Sequence, residues 1–265
     1  MSPRVVLVTG ASSGLGRAGA DLLSGRGWTV VGASRRGTGG ASWEGIVMDV
    51  DADGAVSAGV RQVVERHGRL DAVVAAAGWG LAGPIEETSI DEAKAQVETN
   101  LWGAARVVRA ALPHVREAKG RVVLVGSLAG LIAIPYQAYY SVSKFALEAY
   151  AEALSYEVAP FGVGVTIVEP GNFNTGFTDA RRDVALAPDS PYAAATDKAV
   201  GRMEKDERGG ADPNVCARTI VRVLEARRPP LRVTTGRACE RLGPIAKRLL
   251  PFRAFAAAAR SSLGA

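Results

Sequence analysis

Arg4-Val5-Val6-Leu7-Val8-Thr9-Gly10-Ala11-Ser12-Ser13-Gly14-Leu15-Gly16 is the stretch whose reading decides the fold. Its first part, residues 4–9, is a short Val-rich run, as expected of a strand buried on both faces. The second part is glycine-rich and leads straight into a helical pattern over 14–26. Glycine permits a tight turn and lets the backbone approach a phosphate closely. The helix start beyond it offers unpaired N–H groups and a partial positive charge. A glycine run alone is a weak signal. Between a strand and a helix it points to an anion held by Gly10, Ser12, Ser13, Gly14, Leu15 and Gly16.

The same alternation continues outward from this stretch. Further strand-like runs lie at 28–33, 45–49, 71–75, 121–126, 163–168 and 231–234. Helical patterns over 54–67, 90–118, 138–159 and 211–227 separate them. Strand and helix in alternation imply right-handed crossovers and a parallel sheet covered on both faces. The expected fold class is α/β, a single doubly wound Rossmann domain with a seven-stranded parallel sheet flanked by helices on both faces. That domain is expected to span 1–265, with its core at 4–235. Two regions break the rhythm. Residues 172–210 are long, polar and carry Pro188 and Pro191, as expected of a substrate lid. Residues 236–265, with Pro244, Pro251, Lys247 and Arg248, read as a C-terminal helical extension. It can pack on its own domain, join an oligomer contact or touch a membrane surface.

Composition narrows the partners. Of 265 residues, 48% are apolar and only 6% aromatic, enough for a sizeable core. No run of eighteen uncharged apolar residues is present, so no transmembrane segment is expected. The chain opens into a strand without a basic-then-apolar leader, which predicts a cytoplasmic location. Cys216 and Cys239 lack CxxC spacing, and His67 and His114 have no ligand-spaced neighbours, so no metal is expected. The net charge of +5 lies largely in the last thirty residues. It serves a polyanionic cofactor without requiring nucleic acid, which is not an expected partner. The Ala- and Arg-rich composition suggests a GC-rich bacterial source.

The nature of the anion follows from the end of the second strand. Gly32-Ala33 is followed by Ser34-Arg35-Arg36, where a site for NAD would place a carboxylate on the ribose 2′-OH. Arg35 and Arg36 instead suit a 2′-phosphate, with Ser12 adding a hydroxyl. The expected cofactor is therefore NADP(H).

Chemistry gathers downstream. The fifth strand ends at Val125-Gly126-Ser127, and Tyr140 and Lys144 stand four apart on one helix face. Reducing a carbonyl requires a hydride on carbon and a proton on oxygen. A free phenol titrates near ~10, and a neighbouring ammonium favours its ionised form, so Lys144 is expected to lower the pKa of Tyr140. Ser127 can orient the substrate oxygen and stabilise charge developing there.

Together, Thr9–Gly16, the Ser127/Tyr140/Lys144 set and Pro170-Gly171 resemble the short-chain dehydrogenase/reductase family over residues 4 to about 235. The resemblance implies that Asn100 joins the catalytic set and holds a water in a proton relay. It implies that Asp49, with Val50 beside it, lies at the adenine. Ala76, Ala77 and Gly78 follow the fourth strand beside the cofactor. Pro170, Gly171, Phe173 and Thr175 are implied at the nicotinamide end, and Tyr140 and Lys144 contribute there too. One departure is clear: the family's Asn-Asn-Ala-Gly is Ala75-Ala76-Ala77-Gly78 here, which removes side chains that tie the sheet together and support the adenosine.

Trp79, Leu128, Tyr136 and Phe177, with Phe173 beside the last, offer apolar and partly aromatic walls to a bulky, weakly polar substrate. Arg181 and Arg182 stand on the expected lid as solvated charges or as receptors for an anionic group. Residues 129–132, 140–148 and 160–163 resemble the 17β-hydroxysteroid dehydrogenase-like group, implying interconversion of a ketone (or aldehyde) and an alcohol on a hydrophobic molecule. Two other uses of the same site stay open: another step such as dehydration, epimerisation or imine reduction, or a non-catalytic NADP(H)-binding sensor. By the same resemblance, helices 90–118 and 138–159 imply a homodimer or homotetramer.

Overall fold

A computed structural model describes residues 3–263; positions 1–2 and 264–265 of the expected domain lie outside the described residues. The chain runs β1 (Val5–Thr9), α1 (Gly14–Gly25), β2 (Thr29–Ser34), β3 (Glu44–Val47), α2 (Asp53–His67), β4 (Ala72–Ala75) and β5 (Leu81–Ala82). It continues through α3 (Ile90–Val97), α4 (Ala104–Glu117), β6 (Arg121–Val125), α5 (Ala138–Val158) and β7 (Gly164–Pro170). Then follow α6 (Phe177–Ala180), β8 (Arg182–Asp183), α7 (Ala193–Arg208), α8 (Pro213–Glu225), β9 (Arg232–Thr235), α9 (Ala238–Leu249) and α10 (Phe252–Leu263).

Seven strands form one parallel sheet in the order β3-β2-β1-β4-β6-β7-β9. The alternation of β1 explains the two layers around it. Val5 and Leu7 face a core shared with α2, α4 and α5, including Val60, Val107 and Leu147. Val6 and Val8 face the opposite core, shared with α1 and α8, including Leu23, Cys216 and Ile220. Each strand residue is thus buried on one side or the other, which is why the strands read as continuous apolar runs. Strand order reverses between β1 and β4, and that switch point opens a crevice at the carboxyl ends of the strands.

Two expectations need correction. The pattern over 90–118 is not one helix: Glu98–Gly103 is a π-helical segment between α3 and α4. Such widened turns often mark functional positions, and this one carries Asn100. The span 172–210, read as a break in the strand–helix rhythm, carries regular elements of its own. It holds α6, α7 and β8, which pairs with β5 in a second small parallel sheet. One face of α7 buries Thr196, Ala199 and Met203, a helical spacing hidden among charged neighbours.

The same span contains an ion cluster. Arg181, expected to be solvated or to receive an anion, has a side chain only 1% exposed. Its guanidinium lies 3.0 Å from Glu207, 3.1 Å from Glu204 and 3.4 Å from Asp183. Removing it strands carboxylates beside a buried site, which costs far more than breaking a surface pair. Arg181→Met is expected to lower the unfolding free energy by about 3 kcal/mol in urea titration. A loss below ~1 kcal/mol would show that the cluster does not hold this region in place.

Candidate active site

The glycine turn after β1 sits on the switch point. Gly10 has φ +67°, and a Cβ there would lie 2.8 Å from the Ala76 carbonyl oxygen. A Cβ on Gly16 would lie 2.5 Å from the Gly10 carbonyl oxygen. The first turn of α1 therefore packs directly on the end of β1. Ser13 caps α1 in extended conformation, and its side chain makes no capping hydrogen bond. The early N–H groups of that helix are left as an anion site. Thr175 stands over Gly14, its Cβ 3.7 Å from where a Gly14 Cβ would be. This cradle fits a pyrophosphate.

Thr9 answers the alanine departure. Its hydroxyl accepts hydrogen bonds from the Ala76 and Ala77 amides at 3.1 and 3.2 Å. The tie between β1 and the β4 loop is made by the threonine and the backbone, without asparagine side chains. Beyond β2, Arg35 and Arg36 are exposed, and neither has an ion-pair partner among the described residues. Asp49 is half-buried and accepts from the Asp51 amide at 3.1 Å, beside buried Val50.

Ser127, Tyr140 and Lys144 converge at the end of β6. Tyr140 and Lys144 are both buried. Lys144 Nζ donates to the Val125 carbonyl at 2.9 Å and lies 5.7 Å from the Tyr140 ring centroid. Ser127 Oγ accepts from the Ala129 amide at 3.1 Å. Burial pushes the Tyr140 phenol up to about 12; a hydrogen bond with Ser127 opposes this and the Glu207 charge adds to it. Burial also brings the Lys144 ammonium down to about 8, against the attraction of Glu148. The phenol's pKa is therefore raised overall, not lowered as expected, because desolvation of the phenolate dominates.

Asn100 is buried and bound on all sides. Its Oδ1 accepts from the Trp79 amide at 3.1 Å, and its Nδ2 donates to the Trp79 carbonyl at 3.0 Å and to Ser143 Oγ at 3.2 Å. Ser143 Oγ in turn donates to the Tyr140 carbonyl at 2.7 Å. Gln96, four residues before Asn100, donates to the same Trp79 carbonyl at 2.8 Å. Neither Gln96 nor Ser143 was singled out from the sequence. The available signal was two amide side chains four apart, a spacing that puts them on one helical face.

The substrate side is partly as expected. The Phe177 ring lies 5.7 Å from the Tyr140 ring, tilted by 56°. Leu128 reaches to 3.3 Å from where a Gly171 Cβ would be. Tyr136 has φ +60°, a costly conformation for a bulky residue, and its carbonyl accepts from Gly83 at 2.8 Å. The Trp79 indole, expected as a substrate wall, is committed elsewhere: Nε1 donates to Thr99 at 3.1 Å, and Arg182 covers the ring at 4.4 Å. The Phe173 side chain lies in the α1/α8 core, which leaves its backbone for any cofactor role.

Glu240, on α9, was also unforeseen. It accepts from Asn172 Nδ2 at 3.0 Å and fills the space a Gly171 Cβ would need, 2.2 Å away. The Pro170-Gly171 turn is thereby pinned by the C-terminal extension. Behind Lys144 lies a carboxyl pair. Glu148 and Glu169 are buried, and one oxygen of each has no partner besides the other residue. Burial and the Glu148 charge push Glu169 up to about 7. Burial also raises Glu148, against Arg232 at 3.0 Å. A proton shared between the two carboxyls satisfies both stranded oxygens.

A family profile described as short chain dehydrogenase matches residues 4–185. The chain is 37% identical to the 3-ketodihydrosphingosine reductase of Bacteroides thetaiotaomicron, over 95% of this chain and 94% of that one. It is 35% identical to human 17-beta-hydroxysteroid dehydrogenase type 1, over 68% of this chain and 60% of that one. A solved short-chain dehydrogenase from Streptomyces avermitilis superposes with a TM-score of 0.83 at 34% identity, covering 98% of this chain and 97% of that one. The chain belongs to the short-chain dehydrogenase family of oxidoreductases.

The carboxyl pair has a consequence for stability. An unfolded Glu169 titrates near 4.5, whereas the folded one titrates at about 7. The folded state therefore holds the proton more tightly. This contribution is fully present below about pH 4.5 and is lost as pH rises through about 7. Glu169→Gln keeps a donor for Glu148 and is expected to flatten that fall, on the order of 2 kcal/mol, in unfolding titrations across the range. An unchanged pH slope would mean that Glu169 does not carry the proton.

Proposed function

We propose that this chain is an NADP(H)-dependent reductase that interconverts a ketone, or an aldehyde, and an alcohol on a bulky, largely apolar substrate. One observation carries the reading: Tyr140, Lys144 and Ser127 meet at the carboxyl end of β6, with both the phenol and the ammonium buried. The cofactor, when bound, supplies the hydride. Gly10, Ser12, Ser13, Gly14, Leu15 and Gly16 would hold its pyrophosphate, and Arg35 and Arg36 its 2′-phosphate. Asp49, Val50, Ala76, Ala77 and Gly78 would border the adenosine, and Pro170, Gly171, Thr175 and the Phe173 backbone the nicotinamide end.

The chain's own residues manage the proton. As negative charge develops on the substrate oxygen, the Tyr140 hydroxyl donates its proton there and the alcohol is formed. Ser127 donates a hydrogen bond to the same oxygen and fixes its direction. Lys144, charged below about pH 8, stabilises the phenolate left behind. Asn100 holds the Trp79 backbone and, through Ser143, the turn bearing Tyr140. In the opposite direction the same phenolate takes the proton from an alcohol.

Leu128, Tyr136 and Phe177 support an apolar substrate, and the name of the Bacteroides relative supports a lipid ketone. We read 1–265 as one domain, with 172–210 as a cover secured by Arg181. Exposed Trp102, Val142 and Phe145 on the α3–α4 and α5 surfaces support a homodimer or homotetramer. Two unpaired cysteines support a cytoplasmic location.

Tyr140→Phe is expected to lower kcat by roughly 10²–10⁴ with NADPH affinity retained, measured by NADPH oxidation on a ketone panel and by cofactor fluorescence. Near-normal turnover would sink the mechanism. Arg35→Ala removes a charge-assisted bond and is expected to reduce the NADPH/NADH ratio of kcat/KM by roughly tenfold or more. An unchanged ratio would reassign the 2′-phosphate contact.

A further inference from the structure

Helix α9 has two unlike faces. The inner face is fastened to the rim of the active site. Glu240 holds Asn172, Gly243 packs against Ile132, and Lys247 Nζ donates to the Leu131 carbonyl at 2.6 Å. The outer face presents Leu242, Ile245 and Leu249, which are 61%, 53% and 77% exposed. Residues three and seven apart share one side of a helix, so these form a continuous apolar stripe.

Beside the stripe is a hollow of about 590 Å³ between α8, β9 and α9. Arg218, Arg222 and Arg241 line it, exposed and without ion-pair partners among the described residues. Arg232, also in the lining, is held by Glu148 and Glu152, and residues 237–263 hold six basic side chains and one acidic, a surplus equal to the +5 of the whole chain. That one acid, Glu240, is turned inward. No helix among the described residues is long and apolar enough to cross a membrane, so contact with lipid would be at its surface.

Two occupants suit an apolar stripe, a second copy of the chain or a bilayer, and the charge separates them. A two-fold contact between copies would bring the same arginines towards one another. An anionic lipid surface satisfies the stripe and the arginines together. We propose that α9 docks this protein on anionic bilayers, with the stripe in the acyl boundary and the arginine hollow on lipid phosphates. Seated this way, the rim formed by 128–132 and α9 meets the interface, where an amphiphilic ketone partitions. That consequence rests on the reductase reading; the docking does not.

The test is co-sedimentation of the full chain with vesicles of phosphatidylcholine alone and with about one third phosphatidylglycerol. Binding is expected on the anionic vesicles, weakening as salt rises. Leu242→Glu/Leu249→Glu is expected to weaken it at least tenfold. Arg218→Ala/Arg222→Ala/Arg241→Ala alters only exposed side chains and should weaken it roughly fivefold per arginine. Both variants should keep NADPH binding and turnover of a water-soluble ketone, which separates docking from catalysis. Wild-type chain left in the supernatant, or arginine-variant binding equal to wild type, overturns the proposal. So does a leucine variant that changes the sedimentation coefficient in solution without losing vesicle binding, because the stripe then belongs to a second copy.

Discussion

Lys144 is an ammonium almost wholly removed from water, and its 2.9 Å hydrogen bond to the Val125 carbonyl holds α5 against the carboxyl end of β6. An unpaired buried charge is costly, so this contact strongly restricts where α5 can sit. Two further positions follow from it. Tyr140 lies one helical turn before the lysine, and Ser127 two residues beyond the carbonyl that receives it. The segment between fits because Gly130 has no side chain: a Cβ there would lie 2.9 Å from the Lys144 carbonyl oxygen.

Polar clusters around this contact divide the remaining work. Asn100, Gln96 and Ser143 satisfy the backbone of Trp79 and of the turn carrying Tyr140, so that the π-helical segment and α5 form one hydrogen-bonded unit. Arg181 binds α7 to the segment carrying Phe177, and Glu207 of that cluster also acts on the phenol's ionisation. Behind the lysine, Glu148 attracts the ammonium and raises the pKa of the buried Glu169. The charges that matter are thus paired in low dielectric, where each is sensitive to its partner.

Legibility in the sequence followed the range of the interaction. The central strands were readable because each is buried on both faces and therefore apolar almost throughout. Tyr140 and Lys144 were readable because four residues is a helical turn. Arg181 was not: an arginine among acidic and polar residues reads as solvent-exposed, and two of its three carboxylates, Glu204 and Glu207, come from α7, more than twenty residues on. The net direction of the Tyr140 shift was not legible either, because it depends on how far the folded chain removes the ring from water.

By itself the sequence determined the order of the seven strands of the main sheet, the glycine turn that brings α1 onto β1, and the residue types able to move a proton. These rest on backbone sterics and on periodicities of two and 3.6, which act over a few residues. Only the tertiary structure decided that Thr9 makes the tie the alanines at 75–77 do not, that Glu240 pins the Gly171 turn, and that burial raises the pKa of the phenol. Those outcomes depend on desolvation and on partners distant in sequence, from Thr9 with Ala76 to Asn172 with Glu240, and both exist only once the sheet and its helices have closed around them.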